Sequence, residues 1–482
     1  MAVPAAAFTL PTGGAIVQEA LAVAADPGSG LPAYCRVRGA ITPAEAGDLP
    51  IMFQINLPDR WNLKTVQHGG GGLNGVLIEA TGPFAGGRGV PPALARGYVT
   101  YGSDSGHQTP DRSFFGNPQA FANYSHEAVK RTKDLTSHVV KAYYGRDARR
   151  NYHIGGSKGG QEGLQAAQRY ASDFDGVVAY YPAAQNQALQ LAWNRLWHAA
   201  FNPPGGALNA TEQALLKSAV LAACDHLDGL ADGIVSNTTG CAGAFRVREL
   251  RCPDGVDAGD ACLSDRQIRA LETAAQPFGF AHPMPNGVNS VGPWPVFIGG
   301  DLETWFGTGV DGTQQAFYRS TSLRPEAARS TDIPEQAWRE GVLATARIYD
   351  ASQPDIDAFR ARGGKLILVQ GTTDMLVPIA MTSHYAEALA RRYGPARVRD
   401  FVRYYLVPGY GHGGGAFTLS WDALAALDDW VEAGTPPRNP TGADLSAGGA
   451  GRQRPLCEAP AWPKYRGRGD PARADSFVCE TR

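Results

Sequence analysis

One serine stands where chemistry is expected. Residues 155–159 read Gly155-Gly156-Ser157-Lys158-Gly159, the pattern G-x-S-x-G. The strand-like NYHIG precedes it and the helical GGQEGLQAAQRYA follows. That is the setting in which a serine nucleophile sits on a sharp strand-to-helix turn. The helix N-terminus would face a developing oxyanion, with the Lys158 N–H as one donor. In a chain with 59 glycines, a Gly-rich turn whose serine only caps the helix is the plain alternative. Upstream, His68-Gly69-Gly70-Gly71-Gly72-Leu73-Asn74-Gly75 contains a formal G-x-G-x-x-G. A dinucleotide site needs a helix next, whereas the strand-like VLIEA of residues 76–80 follows. The H-G-G-G run instead matches an esterase loop whose backbone supplies the second oxyanion donor, expected at Gly71.

A serine nucleophile needs a base, and the base needs an acid to orient it. On an α/β-hydrolase both follow the serine, in the order acid then histidine. Two histidines lie beyond residue 345, His384 and His412. His412 falls in the loop-like VPGYGHGGG, while His384 lies within the helical SHYAEALARRY. Asp374 ends the strand-and-loop KLILVQGTTD, whereas Asp355 and Asp357 precede that strand. The expected triad is therefore Ser157, Asp374 and His412. Such a triad works on an acyl group through an acyl-enzyme. Acyl transfer or amide hydrolysis could use the same triad.

A second constellation is acidic. CDHLDGLADGI (224–234) places carboxylates at Asp225, Asp228 and Asp232 around two glycine turns. Hard oxygen donors so spaced suit calcium, although the segment is too short for an EF-hand. A solvated acidic turn is the alternative. Six cysteines form sequence-local couples, Cys224 with Cys241, Cys252 with Cys262, and Cys457 with Cys479, leaving Cys35 over. No C-x-x-C occurs, which argues against structural zinc. Short loops of this kind suit disulfides of an oxidising compartment, with seven reduced core cysteines as the alternative. The expectation is a secreted or periplasmic protein whose leader is absent from this chain, with the cytoplasm as the alternative.

These groups must be positioned by a large framework. Strand-like runs (YVTYG, NYHIG, VVAYY, KLILVQG, VRYYLVPG) alternate with helical ones such as 127–145 and 420–434. Such alternation predicts an α/β fold with a mostly parallel sheet covered on both faces. Between about 186 and 345 the alternation stops, and four cysteines and Pro/Gly/Trp-rich stretches enter. The expected organisation is a hydrolase domain in two parts, 1–185 and 346–482, around a lid at 186–345. The second part carries a Gly/Pro/Arg-rich tail. The 44 basic and 46 acidic residues give a formal charge of −2, without a basic stripe for nucleic acid. No run of 18 apolar residues offers a membrane span. The expected partner is a small-molecule substrate.

The chain resembles the tannase/feruloyl esterase family of α/β-hydrolases, from LPAYCRVRGAI to the tail RPLCEAP…FVC. The most specific stretches are YYGRDARRNYHIGGSKGGQEGLQAAQRYASDFDGVVAYYPAAQN, FRARGGKLILVQGTTDMLVP and VPGYGHGGGAF. The resemblance implies ester hydrolysis by Ser157, Asp374 and His412, on esters of aromatic acids of feruloyl, galloyl or phthalate type. It also implies a structural calcium held by the side chains of Asp225, Asp228 and Asp232 and the carbonyls of Leu230 and Ile234, stapled by Cys224 and Cys241. Family members usually join a cysteine before the serine to one after the histidine; here those positions are Gly156 and Gly413. Substrate choice is expected from lid aromatics (Trp294, Trp305, Phe306, Tyr318) and from Arg319 or Arg324, with Trp305 and Arg319 foremost. Asp104 and His107 are expected to brace the active-site loops.

Overall fold

Ten strands form the central sheet: β1 (Ala2–Val3), β2 (Ala15–Val23), β3 (Tyr34–Ile41), β4 (Ile51–Pro58), β5 (Lys64–His68), β6 (Val99–Ser103), β7 (Arg150–Gly156), β8 (Gly176–Tyr180), β9 (Lys365–Gly371) and β10 (Val402–Val407). They appear in a computed structural model that describes residues 2–109, 113–308, 335–449 and 451–481. The order is β1-β2-β3-β4-β6-β5-β7-β8-β9-β10. Pairing is antiparallel from β1 through β4 to β6, and parallel from β6 to β10. Every residue of β5 and β8 is buried, as expected where helices cover both faces of a parallel sheet. This is the α/β-hydrolase fold, with the triad candidates all at the C-terminal ends of parallel strands or just beyond them.

The sequence expectations for the sheet hold with one correction. VLIEA (76–80) is not a strand; it runs as irregular chain beside β6, where the Glu79 carbonyl accepts the side-chain amides of Gln54 (3.0 Å) and Asn56 (2.8 Å). An apolar run of that length reads alike as strand or as loop pressed on a sheet. The dinucleotide reading still fails, because no helix follows the glycines.

Between β8 and β9 the chain leaves the sheet for helices Asn186–Phe201, Ala210–Cys224, Thr238–Ala244, Asp265–Ala274 and Glu335–Tyr349 and a hairpin of strands Phe278–Met284 and Val288–Val291. Two of these helices start on capping boxes, Asn209 with Glu212 and Ser264 with Gln267. The insertion shares one apolar core with the sheet, in which Leu164, Phe174 and Val177 join Trp193, Trp294 and Trp305. The three expected disulfides are all present, with Cα separations of 4.9, 4.9 and 5.5 Å, and Cys35 is unbridged. Cys457–Cys479 ties down the tail, whose hairpin pairs Trp462–Tyr465 with Phe477–Glu480. Among the described residues no helix is long and apolar enough to cross a membrane.

The insertion is anchored by a buried carboxyl. Asp350 accepts the Gln187 N–H (3.2 Å) at the start of helix Asn186–Phe201, and burial pushes its pKa up to about 7. A folded pKa above the solvated value means that the folded state holds its proton more tightly than the unfolded chain. Its contribution to stability is then full at low pH and declines as the pH rises from about 4 to about 7. Asp350→Asn, which keeps the accepting oxygen, should flatten the fall in melting temperature across that window. An unchanged slope relative to wild type would show that Asp350 is ionised throughout.

Candidate active site

Ser157 sits at φ 59° and ψ −118°, between the end of β7 and helix Lys158–Arg169. A non-glycine residue there carries about 1–3 kcal/mol of backbone strain. The surroundings hold it in place. Its N–H donates to the Tyr180 carbonyl (3.0 Å), and its own carbonyl accepts from Gln161 (3.0 Å) and Ala183 (3.1 Å). The turn closes because three backbones nearly touch. A Cβ on Gly69 would lie 2.6 Å from the Gly159 Cα, and one on Gly159 would lie 2.6 Å from the Gly70 carbonyl oxygen. The H-G-G-G loop therefore rests directly on the helix start. Among the described residues neither the Gly71 N–H nor the Lys158 N–H donates a hydrogen bond, so both expected oxyanion donors are free to serve.

The acid and base stand on the loops after β9 and β10. Asp374 is completely buried; one carboxylate oxygen accepts the N–H groups of Leu376 and Val377, both at 2.9 Å. Its other oxygen meets His412 Nδ1 at 2.9 Å. With Nδ1 so engaged, Nε2 is the nitrogen left for proton transfer. His412 and Ser157 line the same cavity without a hydrogen bond between them. That contact commonly tightens only when substrate binds. The rejected alternatives lie elsewhere: His384 is in helix Ile379–Tyr393, and Asp355 and Asp357 pair with Arg392 at the surface.

Tyr181 lies between Gly156 and Gly413, the two positions at which the resemblance implies a bridge. Its ring lies 4.5 Å from the His412 ring, centroid to centroid. A Cβ on Gly156 would come within 2.9 Å of that ring, and one on Gly413 within 3.5 Å of its hydroxyl. Tyr410 packs beside the phenol, the ring centroids 5.9 Å apart. An aromatic plate thus backs the imidazole where a cross-link would otherwise stand. Asp104 braces the neighbouring loop as expected, accepting the N–H groups of Met52 (3.1 Å) and Gly106 (2.8 Å) while its own carbonyl takes the Gly75 N–H (3.1 Å). His107 contacts the Thr109 carbonyl at 2.6 Å and stacks on Phe114.

The cavity over Ser157 encloses about 600 Å³. Its aromatic wall is Phe84, Tyr124, Tyr181 and Trp193, none of which was singled out from the sequence. One signal was available: Asn186, Leu189, Gln190 and Trp193 recur with helical period and form a wall together. The lid aromatics require correction. Trp294, Trp305 and Phe306 are buried in the core and do not line this cavity. The indoles of Trp294 and Trp305 both donate to the Met375 carbonyl beside Asp374, so they support the acid loop. Tyr318, Arg319 and Arg324 lie outside the described residues. A second cavity of about 630 Å³, bordered by Gln213, Lys217 and Thr373, meets the first at His412 and Leu376.

The acidic turn is oxygen-rich but self-engaged. Asp225 accepts the N–H groups of Asp232 (3.2 Å) and Gly233 (2.9 Å), and Asp228 that of Leu230 (3.0 Å). Asp232 pairs with Arg454 of the tail, and Arg452 reaches the Asp232 carbonyl at 3.1 Å. The Leu230 and Ile234 carbonyls accept no hydrogen bond among the described residues, which leaves both available to a cation. The donor set thus fits calcium in kind. As the side chains stand, no three acidic or imidazole groups among the described residues converge on one point.

Known proteins resemble this chain along nearly its whole length. Residues 35–480 match the family described as tannase and feruloyl esterase. An uncharacterized esterase of Agrobacterium fabrum is 36% identical, covering 99% of this chain and 91% of its own length. The mono(2-hydroxyethyl) terephthalate hydrolase of Piscinibacter sakaiensis is 31% identical, covering 93% of this chain and 85% of its own. Among solved structures, feruloyl esterase B from Aspergillus oryzae superposes with a TM-score of 0.81 at 20% identity, covering 97% of both chains.

The packing at Gly156 is directly testable. Gly156→Ala would set its Cβ 2.9 Å from both Ala85 and the Tyr181 ring, so the ring must shift from behind His412. Single-turnover acylation should slow by about tenfold or more, the size expected when a catalytic group is displaced by about 1 Å. An acylation rate equal to wild type would show that the plate does not hold the imidazole.

Proposed function

The chain belongs to the tannase and feruloyl esterase family and is a carboxylic ester hydrolase, and on that premise we propose that it cleaves esters of aromatic acids through an acyl-enzyme on Ser157. The carrying observation is the buried Asp374 carboxylate 2.9 Å from His412, whose ring faces the same cavity as the strained serine. His412 Nε2 takes the Ser157 hydroxyl proton as the oxygen attacks the ester carbonyl. The carbonyl oxygen becomes an oxyanion, held by the Gly71 and Lys158 N–H groups. Asp374 keeps the imidazolium oriented and compensates its charge. His412 then protonates the departing alkoxide, and water repeats the sequence to release the acid. The aromatic wall of the cavity supports an aromatic acyl group. So do the names of two relatives, a terephthalate monoester hydrolase and a feruloyl esterase. The second cavity at His412 supports an alcohol portion of appreciable size.

The acidic turn is proposed to take calcium through Asp225, Asp228, Asp232 and the carbonyls of Leu230 and Ile234. The ion would hold the turn between helix Ala210–Cys224 and the tail, with no part in bond breaking. Binding to the folded state alone raises stability by RT ln(1 + [L]/Kd). EGTA should therefore lower the melting temperature; an unmoved melting curve, with no calcium by elemental analysis, would remove calcium from the picture. The three disulfides support an oxidising compartment such as the periplasm or the exterior.

Ser157→Ala should cut turnover of feruloyl, galloyl or phthalate-type esters by about 10³-fold or more, with the melting temperature nearly unchanged. The same variant should lose fluorophosphonate labelling. Retention of more than about a tenth of the activity would overturn the serine mechanism.

A further inference from the structure

The oxyanion loop is held on both sides of its free donor. Gly70 donates its N–H to Glu162 Oε2 at 3.0 Å, and the Gly72 carbonyl accepts the Tyr124 hydroxyl at 2.8 Å. Gly71 lies between these two fixed points. The holders are themselves joined. The Lys158 ammonium meets Glu162 Oε1 at 2.8 Å and stands 4.6 Å above the Tyr124 ring. Tyr349 donates to the Tyr124 hydroxyl at 2.9 Å from the far side. Lys158, Glu162, Tyr124 and Tyr349 are all buried.

A buried ion pair one turn into a helix is a poor device for stability alone, because desolvation offsets most of the attraction. Here the pair does something an apolar pair could not. One carboxylate binds the ammonium of the residue that offers the first oxyanion N–H, and binds the loop that offers the second. Glu162 therefore sets the spacing between the two donors. Oxyanion stabilisation depends steeply on that spacing, since the donors must be in place before charge develops.

We propose that Glu162, assisted by Tyr124, is the positioning residue of the oxyanion hole, locking Gly71 to Lys158 through the Lys158–Glu162–Gly70 bridge. Glu162 does not line the cavity over Ser157, so it acts through the backbone it holds. This inference rests on the serine esterase reading above. If the wild-type protein hydrolyses no ester, that reading fails; if it does, the following variants judge the clamp alone.

Glu162→Gln keeps the shape but offers one accepting oxygen in place of two. Its kcat on an activated aryl ester should fall about 10- to 100-fold, below the loss seen on deleting a donor outright, with KM within about threefold of wild type. Affinity for an arylboronic acid, which places an oxygen in the oxyanion hole, should fall in step with kcat/KM. Affinity for the product carboxylic acid should stay put. Tyr124→Phe retains the ring under Lys158 and loses the bond to the Gly72 carbonyl, together with the one accepted from Tyr349. It should give the same split at smaller size, and it decides the matter if Glu162→Gln does not fold. A kcat within about twofold of wild type in the folded variants would overturn the proposal, as would equal losses of boronate and product affinity.

Discussion

A tight backbone contact positions the proposed site. Gly69, Gly70 and Gly159 bring a loop and a helix start together at distances that admit no side chain. The positive φ of Ser157 can exist only because the chain on both sides is so thin and so fully hydrogen-bonded. From that contact follow the placement of Ser157 in the cavity, the nearness of the H-G-G-G loop to the start of helix Lys158–Arg169, and the place where Glu162 can bridge them. Parallel strands β5 and β7 are neighbours in the sheet, so their C-terminal loops meet without any long excursion of the chain.

Asp374 and His412 are held by a different strategy. Asp374 is fixed by two backbone N–H groups, and its loop is supported from the insertion by two buried indoles on the Met375 carbonyl. His412 is backed by the Tyr181 ring. The insertion is therefore more than a cover over the cavity. Trp193, which walls the cavity, also donates to the Leu376 carbonyl at 3.0 Å, so the acid loop and the cavity wall are one connected structure. Changes in the insertion will be felt at Asp374 through these bonds.

The tail adds a third constraint. Arg452 and Arg454 reach from the end of the chain to Asp232, while Cys457–Cys479 fixes the segment that carries them. An acidic turn of high local charge is thereby held by opposite charge from a region more than 200 residues away in sequence. The same carboxylates are the proposed calcium ligands, so the two cationic partners bear on one turn.

Much of this was determined by the sequence itself. G-x-S-x-G with a strand before and a helix after is a local pattern, and local sterics alone make it an elbow. The order of Asp374 and His412 after it follows from the connectivity of the fold. The cysteine couples are close in sequence, so chain length limited their choice. What only the tertiary structure decided are contacts between residues far apart in the chain. VLIEA has the composition of a strand and is not one, because the pairing edge of β4 is already taken by β6. Trp305 has the character of a substrate platform and is buried, because it joins the apolar core that the insertion shares with the sheet. Tyr181 and Glu162 carry no motif at all. Their roles come from what lies opposite them after folding, a histidine 231 residues onward in one case and a glycine 92 residues back in the other. Side-chain type and spacing select the chemistry; which surfaces face each other across the sheet is settled only when the whole chain has packed.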